Sequence, residues 1–221
     1  MLLAIDTSTR LIGLACYDDV GLVGECAWQG GNNQTSQLLP QLQMLLRHLG
    51  KDQGALRAIS VALGPGSWSG LRVGISVAKG LALANELPLL GICTLDVLAY
   101  QHQRPATPVH PLIHLGRDRY GTAEFQHRGQ WKRLSEYRNV TLNELCDGIA
   151  DKALFCGDIG AEVQEHLRQH MGERARFPHP AANLRRPGYL AELAWQRLSE
   201  GSVDDVATLE PIYLGSAVQG R

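Results

Sequence analysis

The sequence has no surplus of charge of either sign. Its 221 residues carry 21 Lys and Arg against 22 Asp and Glu, which gives a formal net charge of −1. A chain this close to neutral has no general electrostatic attraction for nucleic acid or anionic lipid. If the protein works on RNA, we therefore expect another protein to supply most of the positive surface.

The sequence also lacks paired cysteines, a signal sequence and a long apolar run. Its five cysteines are an odd number without a CxxC pair, which indicates reduced thiols in a cytoplasmic protein. Asp6 ends the apolar N-terminus after five residues, whereas a secretory signal needs about 7–15. Four charged residues interrupt the longest apolar stretch, 71–98, so we expect no membrane-spanning helix. What is present is a hydrophobic fraction of 44%, enough for a folded core.

Hydrophobic patterning predicts an α/β protein of two lobes with mixed sheets. Three strands, predicted at 2–6, 11–17 and 22–28, are followed by alternating helices and strands as far as residue 101. A similar order begins again at residue 112, and the proline-rich segment 102–111 lies between the two patterns. We therefore predict an N-terminal lobe over 1–104 and a C-terminal lobe over 105–221.

Two helices predicted in the first lobe, over 37–49 and 69–86, have more apolar surface than one sheet covers. Leucines recur in the first helix at steps of three and four, and Gly and Ala recur in the second at steps of four. Interior glycines cost about 0.8–1 kcal/mol each relative to alanine, a cost that close approach of another backbone offsets. Two interpretations remain open: both helices are core of one lobe, or they pair with helices of another chain. The interface interpretation names twelve residues: Leu38, Leu42, Leu45, Leu46, Leu49, Gly70, Val73, Gly74, Val77, Ala78, Leu81 and Ala82.

A glycine-rich turn separates the strand predicted at 58–63 from the second of these helices. Residues 64–70 read GPGSWSG. A P-loop requires GxxxxGK[ST] and a dinucleotide fingerprint requires GxGxxG, whereas this turn has GxGxxxG and no lysine. The pattern favours a tight turn between strand and helix, and anion binding at the helix N-terminus remains open.

Five segments carry a resemblance to a known family. They are AIDTST at 4–9, LLP at 38–40, GPGSWSGLRVG at 64–74, AKGLA at 78–82 and EPIYL at 210–214. In this order and spacing they resemble the TsaB (YeaZ) family, the bacterial accessory subunits in the synthesis of N6-threonylcarbamoyladenosine in tRNA. The resemblance is dense over 1–100 and sparse over 105–200. The sequence departs from the usual residues of the family at Gln34, Leu63, His114 and Gly215.

The resemblance implies the actin/Hsp70-like ATPase (ASKHA) fold with two ribonuclease-H-like lobes. It implies that the first lobe binds the partner, that the second is degenerate, and that the C-terminal helix and tail pack back on the first lobe. It further implies a subunit that binds and activates a TsaD-like catalytic paralogue, with a TsaE-like ATPase docking on that heterodimer. In the family, the helices matching 37–49 and 69–86 form the contact as a four-helix bundle, and the same helices can support a homodimer. Transfer RNA is then a substrate of the complex alone, and no membrane takes part.

Half of a nucleotide site is recognisable in the sequence. Asp6, Thr7 and Ser8 form an acidic, hydroxyl-rich turn that the resemblance aligns with a phosphate loop, which we interpret as vestigial. The matching turn of the second lobe, 114–117, lacks the carboxylate that Mg²⁺ prefers. We therefore predict no cofactor. The alternative hypothesis is a stand-alone ATPase or phosphotransferase of the same fold. A third and weaker hypothesis is a glycoprotease, which is an older label of this superfamily.

Neither a metal site nor a catalytic residue is predicted. Thr94 and Leu98 stand where the catalytic paralogue of the family has its metal-binding HxxxH, and neither is a suitable ligand. The HxxxH of His166 and His170 lies on a predicted helix without a third ligand. The eight histidines are scattered and indicate no Ser/His/Asp or Cys/His arrangement. The sequence therefore favours a non-catalytic subunit over an enzyme.

Overall fold

A five-stranded mixed sheet forms the centre of the first unit of the protein. Its strands are β1 (Leu2–Asp6), β2 (Leu11–Asp18), β3 (Gly21–Gln29), β4 (Ala58–Gly64) and β5 (Leu89–Cys93), in the order β3-β2-β1-β4-β5. The first three are antiparallel, and β4 and β5 run parallel to β1. The computed structural model describes residues 1–31, 33–103 and 107–214, apart from the side chain of residue 34.

Helices cover both faces of this sheet, because successive side chains of its buried strands point to opposite sides. Leu3 and Ile5 pack in the cluster that includes α1 (Gln34–His48) and α2 (Trp68–Ala84). Leu2 and Ala4 pack in the opposite cluster, with α6 (Pro187–Ser199). The helix formed by 187–199 therefore completes the core of the N-terminal sheet.

The boundaries of the two units differ from the predicted division at residue 104. The first unit comprises Met1–Val97 and Arg186–Ile212, and the second comprises Leu98–Arg185 and the described residues from Tyr213 onward. One boundary falls within α3 (Thr94–Gln101). Because Leu190, Ala191 and Ala194 of α6 are fully buried against the first sheet, the chain returns to the first unit after residue 185.

A seven-stranded sheet forms the second unit. β6 (Val109–Gly116), β7 (Arg119–Thr122), β10 (Arg138–Val140), β11 (Ala153–Gly157) and β12 (Ala175–Arg176) lie in the order β10-β7-β6-β11-β12, and β8 (Phe125–Arg128) pairs with β6 and with β9 (Gln130–Arg133). The helices α4 (Leu142–Asp147) and α5 (Ala161–Met171) bury Leu145 and Leu167 beside Phe155 of β11. Within the described residues, no helix is long and apolar enough to cross a membrane.

Local side-chain chemistry sets the helix ends. α1 begins at residue 34 rather than 37, with Asn33 as its N-cap, and the hydroxyl of Ser36 donates to the Asn33 carbonyl inside the first turn (3.1 Å). Ser67 caps α2 by accepting from the backbone N–H of Gly70. Thr141 begins α4 with a complete capping box.

Candidate subunit interface and closed phosphate turns

The leucine stripe of α1 lies in the core of the first unit. Leu38 and Leu42 are each only 1% exposed, and Leu45 and Leu46 are also buried. They pack with Leu3 and other inward-facing residues of the sheet. The stripe is therefore the face by which α1 covers its own sheet, and it offers almost no area to another molecule.

The glycine–alanine ridge of α2 also faces inward. A Cβ added to Gly74 would lie 2.2 Å from Thr7 Oγ1, and that hydroxyl donates to the carbonyl of Gly70 (2.7 Å). Ala78 and Ala82 are buried in the same core cluster. The small residues therefore let α2 approach the end of β1, so the close approach inferred from the sequence is made within one chain.

These positions correct the predicted interface, since a buried side chain cannot contact a partner. Eight of the twelve predicted residues are core: Leu38, Leu42, Leu45, Leu46, Gly70, Gly74, Ala78 and Ala82. The other four are half-buried and pack on the edge of the core: Leu49, Val73, Val77 and Leu81. A helical repeat shows that an apolar face exists, but not which molecule covers it.

The solvent-facing sides of α1 and α2 form a surface that we call the outer face. Leu39 and Met44 of α1 are 44% and 46% exposed, and Leu83 of α2 is 67% exposed. A Cβ added to Gly80 would meet nothing within 4 Å, so the backbone of α2 is open to close approach there. The outer face consists of these four residues and two further small exposed ones: Leu39, Met44, Ser76, Gly80, Leu83 and Ala84.

The turn formed by Asp6, Thr7 and Ser8 is closed by its own hydrogen bonds. Asp6 Oδ1 accepts from the backbone N–H of Ser8 (2.9 Å) and from Ser8 Oγ (2.6 Å). Thr7 Oγ1 donates to Gly70, and the N–H of Ser67 donates to the Ser8 carbonyl (2.7 Å). Thr7 and Ser8 are fully buried. The hydroxyls that would face a phosphate face the protein instead, so this turn does not fit a bound nucleotide.

The corresponding turn of the second unit is also closed. Asp158 Oδ2 accepts from the backbone N–H of His114 (2.9 Å), and His114 Nε2 lies 2.7 Å from the carbonyl oxygen of Arg117. The imidazole packs against Tyr120 with 5.2 Å between the ring centroids. The Asp158 carboxylate is thus hydrogen-bonded to a backbone amide of its own unit.

The predicted histidine pair does not form a metal centre in the described part of the chain. His166 and His170 stack with 4.2 Å between ring centroids, and His170 Nδ1 is hydrogen-bonded to the His166 carbonyl (2.8 Å). Over residues 1–31, 33–103 and 107–214, no group of three or more His, Cys, Asp and Glu could hold a metal ion. Thr94 and Leu98 are buried.

Two departures from the family pattern fall on atoms that the structure does not describe. Gly215 lies outside the described residues, and so does the side chain of Gln34. Leu63 is described: its carbonyl accepts from the backbone N–H of Ile212 (2.8 Å), which fixes the tail of the first unit. Because a backbone carbonyl makes this contact, the hydrogen bond does not depend on which side chain stands at position 63.

One charged feature of the second unit is not visible in the net charge of the chain. The hairpin of β8 and β9 and the segment after it, 125–138, hold four Lys and Arg and one Glu, in a chain whose net charge is −1. The whole-chain charge conceals this local excess. A count over a short window would have found it, because HRGQWKR at 127–133 contains no acidic residue.

Known proteins resemble this chain in both sequence and fold. Residues 30–216 match the family model described as TsaD, tRNA N6-adenosine threonylcarbamoyltransferase. The tRNA threonylcarbamoyladenosine biosynthesis protein TsaB of Haemophilus influenzae is 33% identical, over 98% of this chain and 94% of the relative. TsaB of Escherichia coli is 30% identical, over 98% of this chain and 95% of the relative. A Pseudomonas aeruginosa crystal structure, described as an uncharacterized protein with similarity to peptidase YeaZ, has a TM-score of 0.81 at 24% identity, covering 97% of this chain and 99% of that one.

The two units with mixed sheets define an α/β protein of the actin/Hsp70-like (ASKHA) class, as the family resemblance implied. The match to the TsaD model spans most of the chain, and two TsaB relatives reach or exceed 30% identity over nearly its full length. The chain belongs to the TsaB family. The family resemblance and the fold class expected from the sequence are thereby confirmed.

Proposed function

We propose that this chain is a cytoplasmic, non-catalytic subunit of the complex that makes N6-threonylcarbamoyladenosine in tRNA. It binds and activates a TsaD-like catalytic subunit through the first unit. A TsaE-like ATPase docks on that heterodimer, and tRNA is the substrate of the complex. In the absence of the catalytic subunit, the same helices support a homodimer. The names of the relatives, tRNA threonylcarbamoyladenosine biosynthesis proteins, support the process to which the chain is assigned.

The outer face is the observation that carries the proposal. It presents exposed Leu39 and Met44 on α1 and exposed Leu83 on α2, together with Gly80, where nothing lies within 4 Å of an added Cβ. Exposed apolar side chains beside an open helix backbone suit the packing of a second helix pair, because small residues let two backbones approach. A specific contact of standard size would bury about 1,600 Å² in total.

The closed turns support a non-catalytic role. Catalysis by an ATPase of this class needs hydroxyls and a carboxylate that face the phosphates and their Mg²⁺. Here Thr7 donates to a backbone carbonyl, Ser8 Oγ donates to Asp6, and Asp158 accepts from a backbone amide. The hydroxyls and the carboxylate that would bind phosphate or Mg²⁺ in each unit therefore stabilise the fold of that unit through hydrogen bonds.

Substitution of Gly80 tests the surface. Gly80→Arg places a charged side chain on the outer face, so we expect it to abolish the heterodimer with the TsaD-like subunit in size-exclusion chromatography. Because the space around Gly80 is open and arginine is a better helix former than glycine, the free energy of unfolding should not fall below that of the wild type. Gln169→Arg, which adds the same charge to the exposed side of α5, is the matched control and should leave the heterodimer intact. A heterodimer that survives Gly80→Arg would show that the contact lies elsewhere.

A titration with Mg-ATP separates this function from the stand-alone ATPase. The isolated chain should show neither micromolar binding in calorimetry nor phosphate release. The physical reason is that Thr7 and Ser8 are fully buried. Binding accompanied by turnover would contradict the non-catalytic role and leave the heterodimer test unaffected.

A further inference from the structure

The β8–β9 hairpin projects cations and aromatic rings from the second unit. Its strands pair in register from Phe125 opposite Arg133 to Arg128 opposite Gln130, and among the described residues β8 pairs with β6 at Phe125 alone. Phe125 is buried, and Trp131 stacks on it with 6.1 Å between centroids and an interplanar angle of 11°. The hairpin is therefore anchored at its base by a ring pair, and its remaining residues extend toward solvent.

Two arginines of the hairpin contact neutral groups. Arg128 Nε donates to Gln126 Oε1 (3.0 Å), and the Arg133 guanidinium lies 3.8 Å from the centre of the Tyr137 ring. These contacts restrict the side chains without cancelling their charge. Lys132 is exposed on the same side of the hairpin as Arg128, because Lys132 is paired with Gln126, two residues from Arg128.

Some arginines elsewhere in the chain are neutralised by ion pairs, whereas others, such as Arg72 and Arg168, lie over aromatic rings as Arg133 does. Arg119 pairs with Glu144 (3.1 Å), and Arg186 donates from Nε to Glu25 (2.6 Å). Within the described residues, none of the hairpin cations Arg128, Lys132 and Arg133 is in an ion pair. The positive charge over 125–138 is thus a local surplus that an anionic partner can neutralise.

We propose that this hairpin contacts the backbone of RNA, with Arg128, Lys132 and Arg133 against phosphates. The inference rests on the proposed function, in which tRNA is the substrate, and assigns this chain a direct part in holding it. Cations dominate nucleic-acid affinity, and rings such as Trp131 and His127 provide faces on which unpaired bases stack. RNA is favoured over an anionic membrane because the exposed residues of the hairpin, 127–130 and 132–133, are polar or glycine and offer no apolar side chain for insertion.

Charge neutralisation tests the proposal in the assembled complex. Fluorescence anisotropy would follow a labelled, unmodified tRNA transcript bound by the heterodimer of this chain with the TsaD-like subunit, between about 50 and 200 mM salt. The variant Arg128→Gln/Lys132→Gln/Arg133→Gln should lower the affinity roughly 10- to 100-fold near 0.1 M salt and reduce the slope of log K against log salt by about 2–3. Arg128→Lys/Arg133→Lys keeps the charge and should keep the slope.

The control removes three exposed cations at scattered positions: Lys51→Gln/Lys152→Gln/Arg176→Gln. Equal losses in the hairpin variant and in this control, or no loss in the hairpin variant, would overturn the proposal. Loss of the heterodimer in the hairpin variant would show that the hairpin docks on protein and would also overturn it. If the wild-type chain forms no heterodimer, the proposed function fails instead, and the same titration on the isolated chain decides the role of the hairpin.

Discussion

His110 shows how a single residue can make the stability of a unit depend on pH. It lies on β6 and is 2% exposed, with its ring 5.7 Å from that of Phe155. Burial, and to a smaller extent the charge of Arg138, lowers the pKa of His110 from 6.5 to about 4. Its Nδ1 has no hydrogen-bond partner in the described structure, so nothing nearby favours the protonated ring.

We expect the free energy of unfolding to fall as the pH is lowered from 6.5 toward 4. Over this range the folded chain keeps His110 neutral while the unfolded chain binds a proton, so protons favour unfolding. The loss attributable to this residue is at most roughly 3 kcal/mol. Urea unfolding at a series of pH values measures it, and His110→Phe, which cannot titrate, should flatten the dependence. Parallel curves for the two proteins would rule out His110 as the cause.

At the scale of an element, α2 carries two interior glycines with opposite roles. Gly74 faces the end of β1, and Gly80 faces solvent. The sequence predicted the helix to within two residues at each end and also its small-residue ridge. It could not predict which small residues meet the protein's own sheet, since α2 is apolar over most of its circumference and periodicity alone does not orient such a helix. For this reason the interface predicted from the sequence includes eight residues that lie in the core of the first unit.

Alanine at these two positions should change stability in opposite directions. Gly74→Ala would bring a Cβ to 2.2 Å from Thr7 Oγ1, so we expect it to destabilise the protein by about 1–3 kcal/mol through overpacking. Gly80→Ala meets nothing within 4 Å and should stabilise it by about 0.5–1 kcal/mol, because alanine loses less backbone entropy in a helix. Chemical denaturation measures both. A neutral Gly74→Ala variant would mean that α2 is free to shift away from β1.

At the scale of the whole molecule, the second unit interrupts the first. The sequence predicted two lobes and the mixed sheets, because strand and helix periods are local signals. The unit boundaries are not local: α6 joins the first unit through Leu190, Ala191 and Ala194, which pack beside Leu2. Arg197 of α6 adds a hydrogen bond to the carbonyl of Gly91 on β5 (2.8 Å). The hydrogen bond joins residues 106 positions apart, and the packing on Leu2 spans most of the sequence, so no pattern within a single helix encodes these contacts.

Truncation tests the dependence of the first sheet on α6. A chain that ends at Arg185 exposes Leu2, Ala4 and Leu90, which α6 covers in the intact protein. We expect the amides of β1 and β4 to lose most of their protection from hydrogen exchange in this truncated chain. A chain that ends at Leu214 retains α6 and should keep that protection. Unchanged protection in the shorter chain would mean that the first unit is stable without its last segment.

The interruption also sets the order in which the parts can mature during synthesis. Residues 98–185, the continuous part of the second unit, are translated before the segment 186–212. This part can therefore begin to fold on the ribosome while one face of the N-terminal sheet is still uncovered, because α6 has not yet been translated. During that interval the nascent chain presents the apolar side chains of β1 and β4, which makes this species a natural client for chaperones.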